Sequence, residues 1–447
     1  MGVAPAGCET DPVPEQPDRG DRPTRFAYLD HAATTPLRPA ARDAMLPWLG
    51  ERFGNPSGDH RVARAARQAV DEARDGVADI VGCRPGDVVF TSGGTEADNM
   101  AVRGVHAARP GPVLCSAIEH DAVRNPVGLV GGTTVAVDNR GVLDLDALDA
   151  ALTPDLTLLA LMSANNEVGV VQPVAEAVEL VRRRAPSAAV HTDAVQAAGW
   201  LDLRATIAGV DLVAVSSHKV GGPQGVGALI ARPGTPLRPL LLGGGQEREL
   251  RSGTHNVAGI VGMAAALGAA AAERDATAAR VGGLRERLAE GLLAAIPDAV
   301  RTGGEVAPRL PGTLHLCIPH VESEALLFLL DEDGVCASAA SACASGAHQA
   351  SHVLAAMGIG PELGAGALRL SLGWTSTDAD VDHALRVIPA AVAQLRGAQD
   401  RRPEPVGLGP SGPAPEAPRA GDKMVSLSAA QPPTIRNRDS STEAPRP

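Results

Sequence analysis

Short apolar runs recur along this chain with amphipathic stretches between them, and this alternation limits the possible folds more than any other feature. Asp87–Ser92, Pro112–Ser116, Leu156–Met162, Ala189–Asp193 and Leu212–Ser216 read as strands separated by helical segments. That order argues for a largely parallel sheet flanked by helices, an α/β fold. A long helical pattern from about Val257 to Ala295 then leads to further elements, including Thr313–Ile318 and Ala367–Leu372, which read as a smaller α+β domain. The division drawn from these patterns is 26–272 for a large domain, with 26–39 packing on the small domain, and 273–396 for the small domain. Residues 1–25 and 397–447, rich in Pro, Gly, Ser and charge, read as disordered tails. No internal repeat is visible.

At 447 residues and 44% hydrophobic, the chain is long enough for a substantial core. Its net charge of -12 repels nucleic acid, and the one basic triplet, Arg182–Arg184, lies on an amphipathic helical pattern as a solvated face. The stretch Val257–Ala272 is short and broken by glycines, so no membrane span is expected. The N-terminus lacks the apolar core of a signal peptide, which points to a cytoplasmic protein. Six dispersed cysteines without CxxC pairs suggest neither a disulfide framework nor a metal site.

Only two of the 40 basic residues are lysines, Lys219 and Lys423, and the latter lies in the polar tail. Arginine serves wherever charge alone matters, but it cannot form a Schiff base. The lysine inside the folded region is therefore a candidate for amine chemistry. It sits in Val215-Ser-Ser-His-Lys219-Val-Gly-Gly, at the end of a strand and before a glycine-rich turn. Two further segments supply what a phosphorylated pyridine aldehyde would need. Thr91-Ser-Gly-Gly-Thr95-Glu-Ala-Asp-Asn99 puts glycines between a strand and a helix, where backbone N–H groups can hold an anion. His191-Thr-Asp193-Ala-Val-Gln196 puts an acid at the carboxyl end of a strand, as a counter-charge for a ring nitrogen or as a helix cap. Amine, anion cradle and acid together match pyridoxal phosphate.

The wording and order of these motifs resemble the NifS/IscS-type cysteine desulfurases of the class V aminotransferase family. The resemblance covers nearly all of residues 26–395 and is carried by Tyr28–Pro36, Gly54–Ser57 with His60, Thr91–Asn99, Glu119-His120, Asn165–Gly169, Asp193 with Gln196, Ser216–Lys219, Gly243–Arg248, Arg251–Thr254, Ser341-Ala-Cys343 and Arg369–Gly373. It implies a PLP-dependent transferase type I fold, with a mainly parallel seven-stranded sheet in the large cofactor-binding domain. The small domain then carries the cysteine loop. It further implies pyridoxal 5'-phosphate on Lys219, with Gly94, Thr95, Ser216 and His218 around the phosphate and Thr254 reaching across from the second subunit of a homodimer. His120 would stack on the ring, Asp193 would pair with its nitrogen and Gln196 with its phenolic oxygen. Asn166 and Arg369 would orient the substrate carboxylate, a task suited to the planar fork of arginine. His31, where asparagine is frequent in the family, would still donate a hydrogen bond near the substrate. Trp374 stands where an arginine usually follows Ser-Leu-Gly and cannot replace its charge.

Cys343 lies in Ala337-Ser-Ala-Ala-Ser-Ala-Cys-Ala-Ser-Gly-Ala, a run of small residues with little side chain to bury, which suits an exposed thiolate nucleophile. Cys336 reads as buried and inert in a strand, and Cys115 and Cys317 as structural. The resemblance selects Cys343 as well. The implied activity removes sulfur from L-cysteine, leaving L-alanine and a persulfide on Cys343. A sulfur-acceptor protein would follow, an iron–sulfur scaffold or a tRNA thiolase, since the spacing from Cys343 to Ser351–Gly358 resembles the long-loop group that serves these pathways. A selenocysteine lyase, another class V lyase or aminotransferase, and a catalytically silent scaffold are the alternatives. No direct nucleic-acid or membrane binding is expected.

Overall fold

The computed structural model describes residues 26–304, 307–339 and 351–399. At its centre is a seven-stranded sheet in the spatial order Val88–Thr91, Gly227–Ala231, Leu212–Ser216, Ala189–Asp193, Leu158–Ala160, Val113–Ser116, Thr133–Val135. Gly227–Ala231 runs antiparallel to both neighbours, and the other six strands share one direction. The sheet is buried on both faces. Val88, Phe90, Leu159, Val190, Val213 and Val215 face one apolar cluster, while Val89, Leu158, Ala189, Leu212 and Ala214 face another. Strands sandwiched in this way read as continuous apolar runs rather than alternating ones, which is why the sequence exposed them. Two strands were not foreseen. Thr133–Val135 begins with two exposed threonines, and Gly227–Ala231 follows directly on the glycine-rich turn after Lys219.

A second apolar cluster forms around a three-stranded antiparallel sheet, Ala367–Ser371, Thr313–Cys317, Val300–Arg301. The N-terminal strand Ala27–Tyr28 pairs in parallel with Val335–Cys336, and Leu29 is buried in this same cluster. The helix Val257–Ala295 joins the two regions. Its first turns, Val257 to Ala270, are buried against the helices Pro39–Met45 and Arg61–Val81 in the cluster that covers one face of the large sheet, and Val281 to Leu292 are buried in the second cluster. At 39 residues it spans about 58 Å, and the 272/273 division falls within it, between its two buried stretches. By length and composition it could cross a membrane, contrary to the expectation that no apolar run is long enough; 50% of its most apolar window is buried inside the fold, as the packing of a core helix requires.

One turn of the backbone carries visible strain. Glu247, Arg248 and Glu249 all have positive φ, at 50°, 58° and 64°, a conformation costly for residues with a Cβ. The buried carboxylate of Glu247 holds it in place. Arg74 donates to both oxygens at 2.6 and 2.8 Å, His255 Nε2 lies 2.7 Å from Oε1, and the Phe90 N–H donates to Oε2 at 2.8 Å. Burial would raise its pKa, but the hydrogen bonds from Arg74 and His255 outweigh burial and hold it at about 2. A depressed carboxylate stabilises the fold above its ordinary range and loses that contribution as pH falls towards the folded value. Glu247→Gln leaves the buried Arg74 cation unpaired, and urea unfolding at pH 7 should show a loss of about 3–5 kcal/mol. The gap between variant and wild type should narrow when the same measurement is made at pH 3, and a gap that stays constant would count against the assignment.

Candidate active site

The side chains singled out by sequence lie where the co-directional strands end. Asp193 and Ser216 close adjacent paired strands, Lys219 follows Ser216 by one short turn, and Glu119-His120 follows Ser116. Ligands of open α/β sheets collect at such carboxyl edges. The helix Gly94–Ala108 starts there too, without a side-chain cap, so the donors of its first turn, which includes Thr95, are left for a ligand. Gly94 is needed for close packing: a Cβ on it would stand 2.7 Å from Val195 Cγ2 and 3.6 Å from Ser216 Cβ. The anion-binding end of this helix therefore abuts both the Ser216–Lys219 segment and the residues next to Asp193.

Lys219 Nζ donates to the carbonyls of Ala32 and Ala33 at 2.5 and 2.9 Å, and Gln196 Nε2 donates to the same Ala32 carbonyl at 2.9 Å. The N-terminal segment thus brings lysine and glutamine together through one backbone oxygen. His218 Nδ1 lies 3.2 Å from Thr34 Oγ1, and burial, reinforced by the Lys219 charge, lowers its pKa to about 4, so the ring is neutral. Asp193 accepts from Val195 N at 2.8 Å through Oδ1, and its second oxygen has no partner among the described residues. Burial raises its pKa to about 7. His120 is half-buried and caps the helix Asp121–Leu129, accepting from Ala122 N at 3.1 Å through Nδ1. It is not a satisfied core histidine.

Arg369 is buried and already engaged. Its Nη2 donates to Asp30 Oδ1 at 2.7 Å and its Nη1 to the Asn166 carbonyl at 2.9 Å. This brings Asn166 and Arg369 together as expected, but an incoming carboxylate must share the guanidinium with Asp30. It is not an ordinary surface pair. His31 is also more occupied than foreseen: Nδ1 lies 2.6 Å from Thr35 Oγ1, and Nε2 lies 3.4 Å from the hydroxyls of Thr375 and Ser376. Burial lowers its pKa to about 4. A substrate contact there would displace one of these hydroxyls. The Arg38 guanidinium stacks 4.8 Å from the ring centroid of Trp374 and pairs with Glu273 at 2.6 Å.

Thr254 is exposed, on a segment tied to the helix Gly94–Ala108 by the Arg251–Glu96 ion pair at 2.7 Å. Cys343 lies outside the described residues. Among the described cysteines none is poised to be a thiolate: burial pushes Cys115 up to about 12 and Cys83 to about 11, and it also raises Cys317 and Cys336. Cys336 is half-buried rather than buried, because it sits on the short two-stranded pairing with Tyr28. Sequence reasoning missed Ala32, whose contribution is a backbone carbonyl, and Asp30, whose pairing with Arg369 spans almost the whole chain.

These residues fit a pyridoxal phosphate: uncapped helix donors with hydroxyls for the phosphate, a buried acid with one spare oxygen for a ring nitrogen, and an amine between them. Comparison with known proteins agrees. The model of the class-V aminotransferase family matches residues 27–384. The chain is 44% identical over 388 residues to an IscS-like cysteine desulfurase of Mycobacterium tuberculosis, covering 83% of this chain and 98% of that protein. It is 44% identical over 378 residues to a cysteine desulfurase of Cereibacter sphaeroides, covering 83% and 96%. Among solved structures, a NifS-like protein superposes with a TM-score of 0.78 at 34% identity, covering 83% of this chain and all of that one.

The buried acid at the site destabilises the fold when no cation pairs with it. An aspartate whose folded pKa is raised binds its proton more tightly folded than unfolded, so stability falls as pH rises from the ordinary 3.8 to about 7, by up to roughly 4 kcal/mol. Asp193→Asn removes that dependence. Thermal melts of the cofactor-free protein should show the variant with the higher Tm at pH 8 and little difference at pH 4; equal melting at pH 8 would contradict the burial of an unpaired carboxylate.

Proposed function

We propose, from the premise that this chain belongs to the class-V aminotransferase family and is a cysteine desulfurase, that Lys219 carries pyridoxal phosphate and Cys343 receives the sulfur. The observation that carries the assignment of Lys219 is its place. It is the lysine within the fold, one turn past a strand whose neighbour ends in Asp193, and it shares the Ala32 carbonyl with Gln196. The cofactor supplies an electron sink for charge developing at the substrate α-carbon. Thr95, the N–H groups after Gly94, Ser216 and His218 would hold its phosphate, His120 would cover the ring and Gln196 would meet the phenolic oxygen. Asp193 offers the spare oxygen to the ring nitrogen, and a cation at that point would bring its carboxyl back towards the charged form.

Each remaining step falls to a residue of this chain. Arg369 and Asn166 would receive the substrate carboxylate, with Asp30 limiting how tightly the guanidinium can be drawn away. Lys219, once displaced from the cofactor, takes the α-proton on Nζ. The thiolate of Cys343 attacks the substrate sulfur, so an S–S bond forms as the C–S bond breaks. The electron pair returns to the substrate carbon, which takes a proton and leaves as alanine. The persulfide then passes to an acceptor protein, and we take an iron–sulfur scaffold or a tRNA-thiolating enzyme as that acceptor. Thr254, exposed on the segment that Arg251 ties to Glu96, suits a contribution to the site of a second copy. A homodimer would also cover the exposed Leu46, Leu49, Phe53 and Leu242. The described cysteines are free, as a reducing cytoplasm would keep them.

Purified protein should show a visible cofactor band and convert L-cysteine, with a reductant present, to alanine and sulfide. Lys219→Ala should lose the band that depends on the amine linkage together with at least about a thousandfold in kcat. Cys343→Ala should still change colour on adding cysteine but release no sulfide. Undiminished sulfide from Cys343→Ala would move the chain to lyase chemistry, and a colourless, inactive wild type given pyridoxal phosphate would make it a silent scaffold.

A further inference from the structure

Behind Asp193 lies a group of buried titratable side chains for which the reaction above has no use. His191, two residues earlier on the same strand and so on the same face of the sheet, is wholly buried. Its Nδ1 lies 3.2 Å from the Leu212 carbonyl and its Nε2 lies 3.0 Å from Oδ1 of Asp98, itself buried on the helix Gly94–Ala108. A carbonyl only accepts, so Nδ1 carries the ring hydrogen and Nε2 is left with either a lone pair or a second proton. The groups facing this pair are Asp193 on its own strand and Glu119 from the turn after Ser116, while His120 from the same turn faces Asp193. Glu119 is also buried; it accepts from Met162 N at 2.7 Å, and its Oε2 has no partner among the described residues.

Three carboxyl groups in a dry region cannot all be charged. Burial raises Asp98 and Glu119 well above the carboxylate range and lowers His191 to about 4, whereas Asp193 rises only to about 7. Both partners of the Asp98–His191 contact are thus pushed to their neutral forms. One hydrogen sits on Asp98 and is donated to Nε2, giving the directed chain Asp98–His191–Leu212 carbonyl.

We propose that Asp98 and His191 are positioning residues for the desulfurase reaction: a neutral buried pair, with its hydrogen on Asp98, that leaves Asp193 as the charge presented to the cofactor's ring nitrogen. The proposal rests on the role given to Asp193 above. If Asp98 were ionised instead, a second negative charge would share that region and Asp193 would hold its proton more tightly. With the pair neutral, the ring nitrogen competes only with Asp193 for one proton.

The test uses the cofactor-loaded protein and follows the position of the visible band from pH 5 to 9, alongside kcat and KM for L-cysteine. Asp98→Asn keeps a neutral donor to Nε2, so its band titration should overlay the wild type and its kcat should stay within about twofold. Asp98→Ala opens a void that water enters, and His191 regains its ordinary titration. The band should then gain an inflection near pH 6.5 that the wild type lacks, with kcat falling more than about tenfold below it and KM little changed. A purely structural pair would lower the Tm of Asp98→Ala without any new inflection, and that result overturns the proposal. So does a shift of about one pH unit or more in Asp98→Asn, which would mean that Asp98 works as a carboxylate. Should the alanine variant not fold, Asp98→Ser is read in its place. A wild type without a visible band would fault the cofactor reading instead of the pair.

Discussion

A sheet covered on both faces has no wet side, and the rest of this structure follows from that. Along Val113–Ser116, Ala189–Asp193 and Leu212–Ser216 every residue is buried, so side chains that must meet water or a ligand are displaced to where the strands stop. Six strands stop at the same edge, and the turns that follow them carry the glycines, hydroxyls, imidazoles, acid and lysine of the site. The same geometry explains why a 15-residue helix can begin there uncapped: its exposed donors face the one edge at which a charged ligand is admitted. The apolar faces fix where the chemistry is, and the turns fix what it is.

That logic also sets what could be read from the sequence. Buried strands announced themselves as unbroken apolar runs, and the long helix was found with its full extent because both of its halves are apolar. Gly227–Ala231 and Thr133–Val135 were not found because their stability comes from a neighbouring strand rather than from their own composition. Tyr28 opens the Tyr28–Pro36 motif, but nothing local shows that Ala27 and Tyr28 pair with Val335 and Cys336, so Cys336 reads from sequence as better buried than it is. The placing of candidate residues was legible where one side chain sits at a strand end or the start of a helix, as for Lys219, Asp193, Thr95 and His120. It was illegible where the role depends on a distant partner. The Ala32 carbonyl that joins Lys219 to Gln196, the Asp30 carboxylate on Arg369 and the Arg38 cation over Trp374 are all contacts between segments far apart in the chain.

Electrostatics at the site is governed by how few charges a dry region tolerates. Asp193, Asp98 and Glu119 share it with two histidines, and the fold resolves the conflict by leaving protons on the acids that face no ligand. Arg369 shows the opposite arrangement, a buried cation held by the Asp30 carboxylate. Glu247 shows a third, in which a buried charge is held by enough donors to keep a three-residue left-handed turn in place. Stability and reactivity draw on the same desolvation, with opposite signs at different residues.

The helix Val257–Ala295 has a consequence for how the chain comes apart. Its two buried stretches belong to different apolar clusters, yet no turn of loop separates them that could act as a break. Helix propagation is cooperative, so unwinding either end strips the packing from one cluster while leaving the helix tethered to the other. The two clusters are therefore joined mechanically as well as covalently: neither can melt without pulling on the other. A protease would find no clean seam between them, and half of this protein, expressed alone, would carry a long helix with its greasy side facing water.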